Sequence, residues 1–353
     1  MSGSSMTERR RAPSVVATLL LAAVATVGAF LLWLHDSATR PGPATEARII
    51  DVAAGNSLRQ VFRQLEAQQL LPRPRAFELY LRWLAPDYRG RALPAIQRGR
   101  YRFGPDQTPL EIFTALRDGR VMLTTVTLVE GWTFREFRAA LSAHPEITRT
   151  LEGLTDAEVM ARLGKPGQGA EGRFAPDTYH FMPGSPDTQI LAQAFDLQSR
   201  RLARAWASRS PDLPLRSADE ALVLASIVEK ETGAAAERPR IAGVFINRLR
   251  SGMRLQSDPT VIYGLGEGFD GDLRKADLRR DTPFNTYTRR GLPPAAIAMP
   301  GEAALRASVQ PAATDEVYFV ALGDGTGRHA FSATLDEHNT AVRRYLRRLR
   351  EAP

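Results

Sequence analysis

The stretch Leu224–Gly233, "LASIVEKETG", carries a run of apolar residues straight into two glutamates separated by one lysine. A buried ionised carboxylate costs several kcal/mol unless it is paired or hydrogen-bonded, so the pair needs a physical reason. Upstream, Ser217 stands three residues before Glu220, the spacing of a capping box, which predicts a helix carrying the whole stretch. Successive helical residues lie about 100° apart, so Glu229 and Glu231 point to nearly opposite sides. Glu229 shares its side with Leu222, Ala225 and Ser226, and Ser226 is expected to donate to it. Glu231 shares its side with Leu224, Ile227 and Val228, a bulkier and drier set. Apolar surroundings raise a carboxyl pKa, which is what a general acid needs near neutral pH. Thr232 is expected to hold its hydroxyl close to that carboxyl. The bland alternative makes both glutamates exposed end-of-helix acids paired with Lys230 and Arg238.

Moving outward, the 353-residue chain is 43% hydrophobic and 24% charged, the composition of a folded globular protein. It has no cysteine, which excludes disulfides and Cys-ligated metals. The net charge of +8 suits nucleic acid, anionic lipid or an anionic cell-wall polymer. No zinc-finger spacing or RRM signature is present, so nucleic acid is not an expected partner. Residues 15–34, "VVATLLLAAVATVGAFLLWL", are apolar throughout and long enough for a bilayer core. Arg9, Arg10 and Arg11 precede them, which by the positive-inside rule keeps residues 1–14 cytoplasmic and sends the rest across an inner membrane. The run exceeds a signal-peptide core and no clear cleavage site follows, so an uncleaved single-pass anchor is expected.

Residues 35–46, polar and Pro-rich, read as a linker. "VAAGNSLRQVFRQL" from Val52 and "LVEGWTFREFRAAL" from Leu128 share an order: strand end, glycine, capping hydroxyl, amphipathic helix. With the strand-like "RIIDVA", "GRYRF" and "MLTTVTLVE", they predict one or two small α+β modules over residues 47–145. Further capping signals at Thr108, Thr155 and Thr334 open helices, and a long helix is expected over Asp187–Ala207. "EVYFVAL" and "RHAFSA" read as a hairpin about Gly323 to Gly327.

The chemistry narrows by spacing. Five scattered histidines form no metal-ligand pattern, so neither a metal nor a cofactor is expected. "GEGFDG", 266–271, matches a dinucleotide glycine pattern but holds Glu267 and Asp270, which repel phosphate. Ser226 and Lys230 lack the serine-acylase spacing and its companion motifs. The carboxylates of 229–231 remain.

"LASIVEKETG…ERPRIAGVFINRLRSGMRLQSDPTVIYG", with "FNTYTRRGLPPAAIAMPG" and "FAPDTYHF", resembles the endolytic murein transglycosylase, or YceG-like, family from about Gly172 onward. The resemblance implies an α+β protein: an N-terminal transmembrane helix, a LysM-like region over 47–145 and a mixed α+β catalytic domain over 150–353. It implies a lyase that cuts the glycosidic bond between N-acetylmuramic acid and N-acetylglucosamine in nascent peptidoglycan strands, leaving 1,6-anhydro ends. One glutamate serves as acid and then base, and the family's lies in this E-K-E-T. The face argument selects Glu231, with Glu229 supporting or as the alternative. Substrate-binding roles are expected for Thr232, Gln256, Ser257, Asp258, Asn285, Tyr287, Thr288, Asp177 and Tyr179. Expected partners are glycan strands, the inner membrane and peptidoglycan synthases. A muramidase-type hydrolase, with Asp258 or Asp177 as second carboxylate, and a non-catalytic peptidoglycan-binding scaffold are the rival readings.

Overall fold

The structure, a computed structural model, describes residues 15–351; the arginines at 9–11 lie outside the described residues. The chain divides into two compact units, residues 1–123 and 124–353.

The first unit begins with α1 (Val15–Thr39), in which an 18-residue window has a mean hydropathy of 2.5, so the helix is long and apolar enough to cross a membrane by length and composition. Its 25 residues span about 37 Å at 1.5 Å each, against a hydrocarbon core of about 30 Å. Residues up to Trp33 have no core to pack into, whereas Leu34, Ser37 and Ala38 are buried against later helices. The helix therefore runs past the expected linker start at 35. Ser37 donates to the Leu34 carbonyl and Thr39 to that of His35, so these hydroxyls are satisfied within the helix instead of ending it. Then follow β1 (Arg48–Val52), α2 (Leu58–Ala67), α3 (Pro74–Trp83), β2 (Gly99–Phe103) and α4 (Pro109–Asp118). Strands β1 and β2 pair antiparallel from Arg48↔Phe103 to Val52↔Gly99. Alternation puts Ile50, Val52, Tyr101 and Phe103 into the core beside Phe62, Phe77 and Phe113.

The second unit opens with β3 (Thr124–Leu128), α5 (Phe134–Ala143), α6 (Asp156–Arg162) and β4 (Asp177–Phe181). β3 pairs with β4 antiparallel, from Thr124↔Phe181 to Leu128↔Asp177. The β-α-α-β order, the five-residue strands and the burial alternation all repeat those of β1 to β2. The two similar sequence stretches thus open two like modules, each with a full capping box, at Ser57 and at Thr133. The second module reaches to 181, so the chain divides at 123/124 and not near the expected 145–150. The reason is the partner strand: β3 finds its mate 49 residues past its own end.

Helices α7 (Asp187–Ala207), α8 (Ala218–Glu231), α9 (Arg238–Arg250) and, later, α12 (Glu302–Val309) form a packed cluster. Ser217 caps α8 by accepting from Glu220 N–H, but the Glu220 carboxylate turns to Arg216 N–H, so the reciprocal half of the expected box is not made. Between α9 and α12 lie α10 (Asp258–Leu265) and α11 (Lys275–Arg279), joined through a short 3-10 turn at Gly266–Gly268. That turn holds the first two of the three dinucleotide-like glycines, Gly266 and Gly268. The expected hairpin forms as β5 (Tyr318–Ala321) and β6 (His329–Ser332), covered by the basic helix α13 (Leu335–Glu351).

Candidate active site

Helix α8 is buried from Ala221 to Val228, which leaves its final turn to deliver the two glutamates at the edge of the core. Their surroundings differ. Glu229 Oε1 accepts from Arg238 Nη2 at 2.8 Å and Oε2 from Gly301 N–H at 2.9 Å. Only 4% of its side chain is exposed, and each carboxylate oxygen accepts one hydrogen bond. Ser226 does not donate to it. That hydroxyl bonds the Val223 carbonyl and accepts from Ile297 N–H, because a serine in a buried helix turns to its own preceding turn. Lys230 leaves the pair altogether and bonds the Gly131 carbonyl.

Glu231 is the last helical residue, and its Oε1 accepts from Ser257 Oγ at 2.5 Å. Burial pushes its pKa up to about 7; the Ser257 hydroxyl pulls it down, Asp258 pushes it up, and Arg248 pulls it down. Arg248 is buried at 7% exposure and donates to the carbonyls of Val317, Arg254 and Leu255, with no carboxylate bonded to it. Its charge is thus left to act on Glu231. The hydroxyl beside the acid is not Thr232. The helix ends at Glu231, Thr232 turns extended, and its Oγ1 accepts from Ala234 N–H at 2.9 Å.

Ser257 is held from three sides. Its N–H donates to Thr286 Oγ1, its carbonyl accepts from Thr260 Oγ1, and the two threonine hydroxyls meet at 2.9 Å. Gln256 precedes it at φ 51°, a left-handed conformation that costs roughly 1–2 kcal/mol in a non-glycine residue. Its N–H bonds the Thr286 carbonyl, so the strain is fixed at the point that aims Ser257. Asp258 opens α10 and accepts from Tyr287 Oη at 2.5 Å. Around Glu231 the structure therefore gathers Gln256, Ser257, Asp258 and Tyr287.

The other expected residues stand elsewhere. Asn285 is fully buried and spends its amide on the carbonyls of Asp277, Leu278 and Arg280, closing α11. Thr288 donates to Asp281. Asp177 pairs with Arg201 at the end of β4, and Tyr179 is a core residue whose hydroxyl donates to the Ala175 carbonyl. Neither touches Glu231 or its partners, because β4 is a strand of the second module and not a cleft loop.

Three residues escaped the sequence reading: Arg248, Thr286 and Glu171. Glu171 accepts from Phe134 N–H at 3.0 Å and from Tyr263 Oη at 3.1 Å, and burial pushes it up to about 7. Through Tyr263 it anchors the far end of α10, the helix whose near end carries Ser257 and Asp258. Position 286 lies between two of the expected residues, 285 and 287; Arg248 gives no signal in the sequence, since its partners are backbone carbonyls of residues 254, 255 and 317. Among the described residues no group of three or more His, Asp or Glu side chains is placed to hold a metal ion.

An α+β protein with a serine-bound carboxyl, raised to about 7, at the end of a core helix is the class this fold and site define. The chain belongs to the YceG-like family, whose model matches residues 50–344. An endolytic murein transglycosylase of Bacillus subtilis is 29% identical over 316 residues, covering 84% of each chain. A Streptococcus pneumoniae protein of the same name is 24% identical over 327 residues, covering 83% of this chain and 57% of that one. This chain therefore spans little more than half of the pneumococcal relative. A solved yceG-like protein from Listeria monocytogenes shares the fold at a TM-score of 0.53 and 28% identity, covering 84% of this chain and 99% of that one.

Proposed function

We propose that this chain is a membrane-anchored lytic transglycosylase that cuts peptidoglycan glycan strands internally, with Glu231 as its acid and base. The observation that carries the reading is the Glu231–Ser257 pair beside Arg248, in a family whose named relatives are endolytic murein transglycosylases. A carboxyl near pKa 7 is protonated often enough at neutral pH to donate and basic enough afterward to accept. Protonated Glu231 gives its proton to the oxygen linking muramoyl C1 to N-acetylglucosamine, and that bond breaks. The carboxylate left behind, stabilised by Arg248 and Ser257, takes the proton of the muramoyl C6 hydroxyl as that oxygen closes on C1. The products are a 1,6-anhydro end and a free 4-hydroxyl, with Glu231 protonated again. One carboxyl suffices, and water is not consumed.

Glu229 then holds Arg238 and Gly301 in place, supporting the site without touching the reaction. The β1–β2 module, two antiparallel strands enclosing two helices, is read as the LysM-like glycan-binding part. With α1 spanning the inner membrane, N-terminus inside, the site faces newly made strands, and peptidoglycan synthases are its expected neighbours. Incubating the full chain in detergent with purified peptidoglycan and weighing the fragments tests the reading. Anhydro-muramoyl ends are expected; reducing ends would make it a hydrolase with Asp258 as second carboxylate, and strand binding without cutting would make it a scaffold. Truncation near Ala44 is unsuitable, since Leu34, Ala38 and Ala44 belong to the first unit's core.

A further inference from the structure

Beside Tyr287 lies a hollow of about 510 Å³ lined by Arg254, Lys275, Leu278, Arg279, Tyr287 and Thr288. Three of these six are cations, from two separate places in the chain, and none of the three makes an ion pair or side-chain hydrogen bond. The acids nearby are already engaged. Asp270 and Asp272 are held by Arg274, Asp281 by Arg289 and Thr288, and Asp277 accepts from Arg274 N–H. Lys275 and Arg279 also stand four apart on α11, where like charges repel and destabilise a helix. Three converging, unpaired cations that cost the fold something are the mark of a site for an anion.

The position of the hollow says which anion. Its wall residue Tyr287 bonds Asp258, the neighbour of Ser257, which bonds Glu231. The wall of the hollow is thus joined to the acid through Tyr287, Asp258 and Ser257. In a glycan strand the sugar that loses its C1 bond is the muramoyl one, and that same sugar carries the lactyl group and its peptide stem. A diphosphate-lipid terminus, by contrast, lies many sugars from an internal cut. Resting on the transglycosylase reading, we propose that Arg254, Lys275 and Arg279 form an anionic subsite that receives the carboxylates of the peptide stem on the muramoyl residue being cleaved.

Binding can be measured without cutting by placing the triple change Arg254→Gln, Lys275→Gln, Arg279→Gln in the Glu231→Gln full chain. Fluorescent strands would be offered to the detergent-solubilised proteins in three forms. These are stem-bearing strands, strands stripped to the lactyl carboxylate by an amidase, and stem-bearing strands still attached to the lipid diphosphate. The expected result is a Kd for both stem-bearing forms raised about ten-fold at about 0.1 M salt, converging with the parent at about 1 M. Stripped strands should lose about two-fold or less. All three side chains are exposed, so the variant should fold, and an unchanged melting temperature checks this. Equal binding of stem-bearing strands by both proteins overturns the proposal, as does a loss confined to lipid-linked strands. Because cutting is scored separately on the wild type, a failure here leaves the reaction standing, and a hydrolase outcome there leaves the subsite standing.

Discussion

Glu229 and Glu231 occupy the same helix turn, yet their surroundings differ in what they offer a carboxyl. Glu229 meets a guanidinium and a backbone N–H, one at each carboxylate oxygen. Glu231 meets one hydroxyl, an apolar helix face and a guanidinium that does not touch it, partners that leave its proton in play. A buried acid is structural when its charge is matched at contact distance, and chemical when it is matched at one remove.

The sharpest way to break this contrast is Glu231→Gln. Its amide oxygen can still accept from Ser257, so the fold should persist while strand cutting falls by about 10³-fold or more, read from fragment release. Stability should move the other way. The folded-state pKa of Glu231, about 7, lies above the ordinary carboxylate value of about 4.3. The folded chain therefore binds this proton more tightly than the unfolded one. Stability falls as pH rises between those values, and the cost persists above 7. Denaturant unfolding at about pH 8 should thus show Glu231→Gln as stable as the wild type or more so, by up to about 4 kcal/mol.

Glu229→Gln should do the reverse, removing the contact partner of buried Arg238 and costing about 3–5 kcal/mol of stability. Protein that remains folded should still cut, at a rate per folded molecule near the wild type's. Next in size is Arg248→Met. Losing the one cation that favours ionised Glu231 should carry the alkaline limb of the pH–rate profile upward and slow the step in which the carboxylate accepts a proton. Wild-type activity itself should be level below about 7 and decline above it, because the acid must begin protonated. The smallest effect is expected for Ser257→Ala, which removes one hydroxyl: the same upward displacement, with about a ten-fold loss of rate or less. A profile unmoved by either change would mean that neither group tunes Glu231.

The helix-face argument separated the two glutamates because angular position on a helix depends only on local geometry. Apolar alternation likewise made the strands of both modules legible. What failed depended on chain ends and distant partners. Thr232 is adjacent in sequence, but α8 stops at Glu231 and the backbone carries the hydroxyl away, while Ser257 comes in from a loop 26 residues later. The motif "FAPDTYHF" carries two expected substrate-binding residues, Asp177 and Tyr179, but it forms strand β4, whose partner β3 lies some fifty residues upstream. Arg248 and Thr286 act through carbonyls and hydroxyls outside any helical or strand periodicity, and no sequence pattern marks such bonds.

The most direct test of the central claim places wild type, Glu231→Gln and Glu229→Gln side by side, each with its folded fraction measured, and counts anhydro-muramoyl ends released from one peptidoglycan preparation. Those ends should vanish with Glu231→Gln and persist, per folded molecule, with Glu229→Gln. Ends that survive in the folded Glu231 variant and vanish in the folded Glu229 variant would contradict it, and would make the ion-paired glutamate the acid.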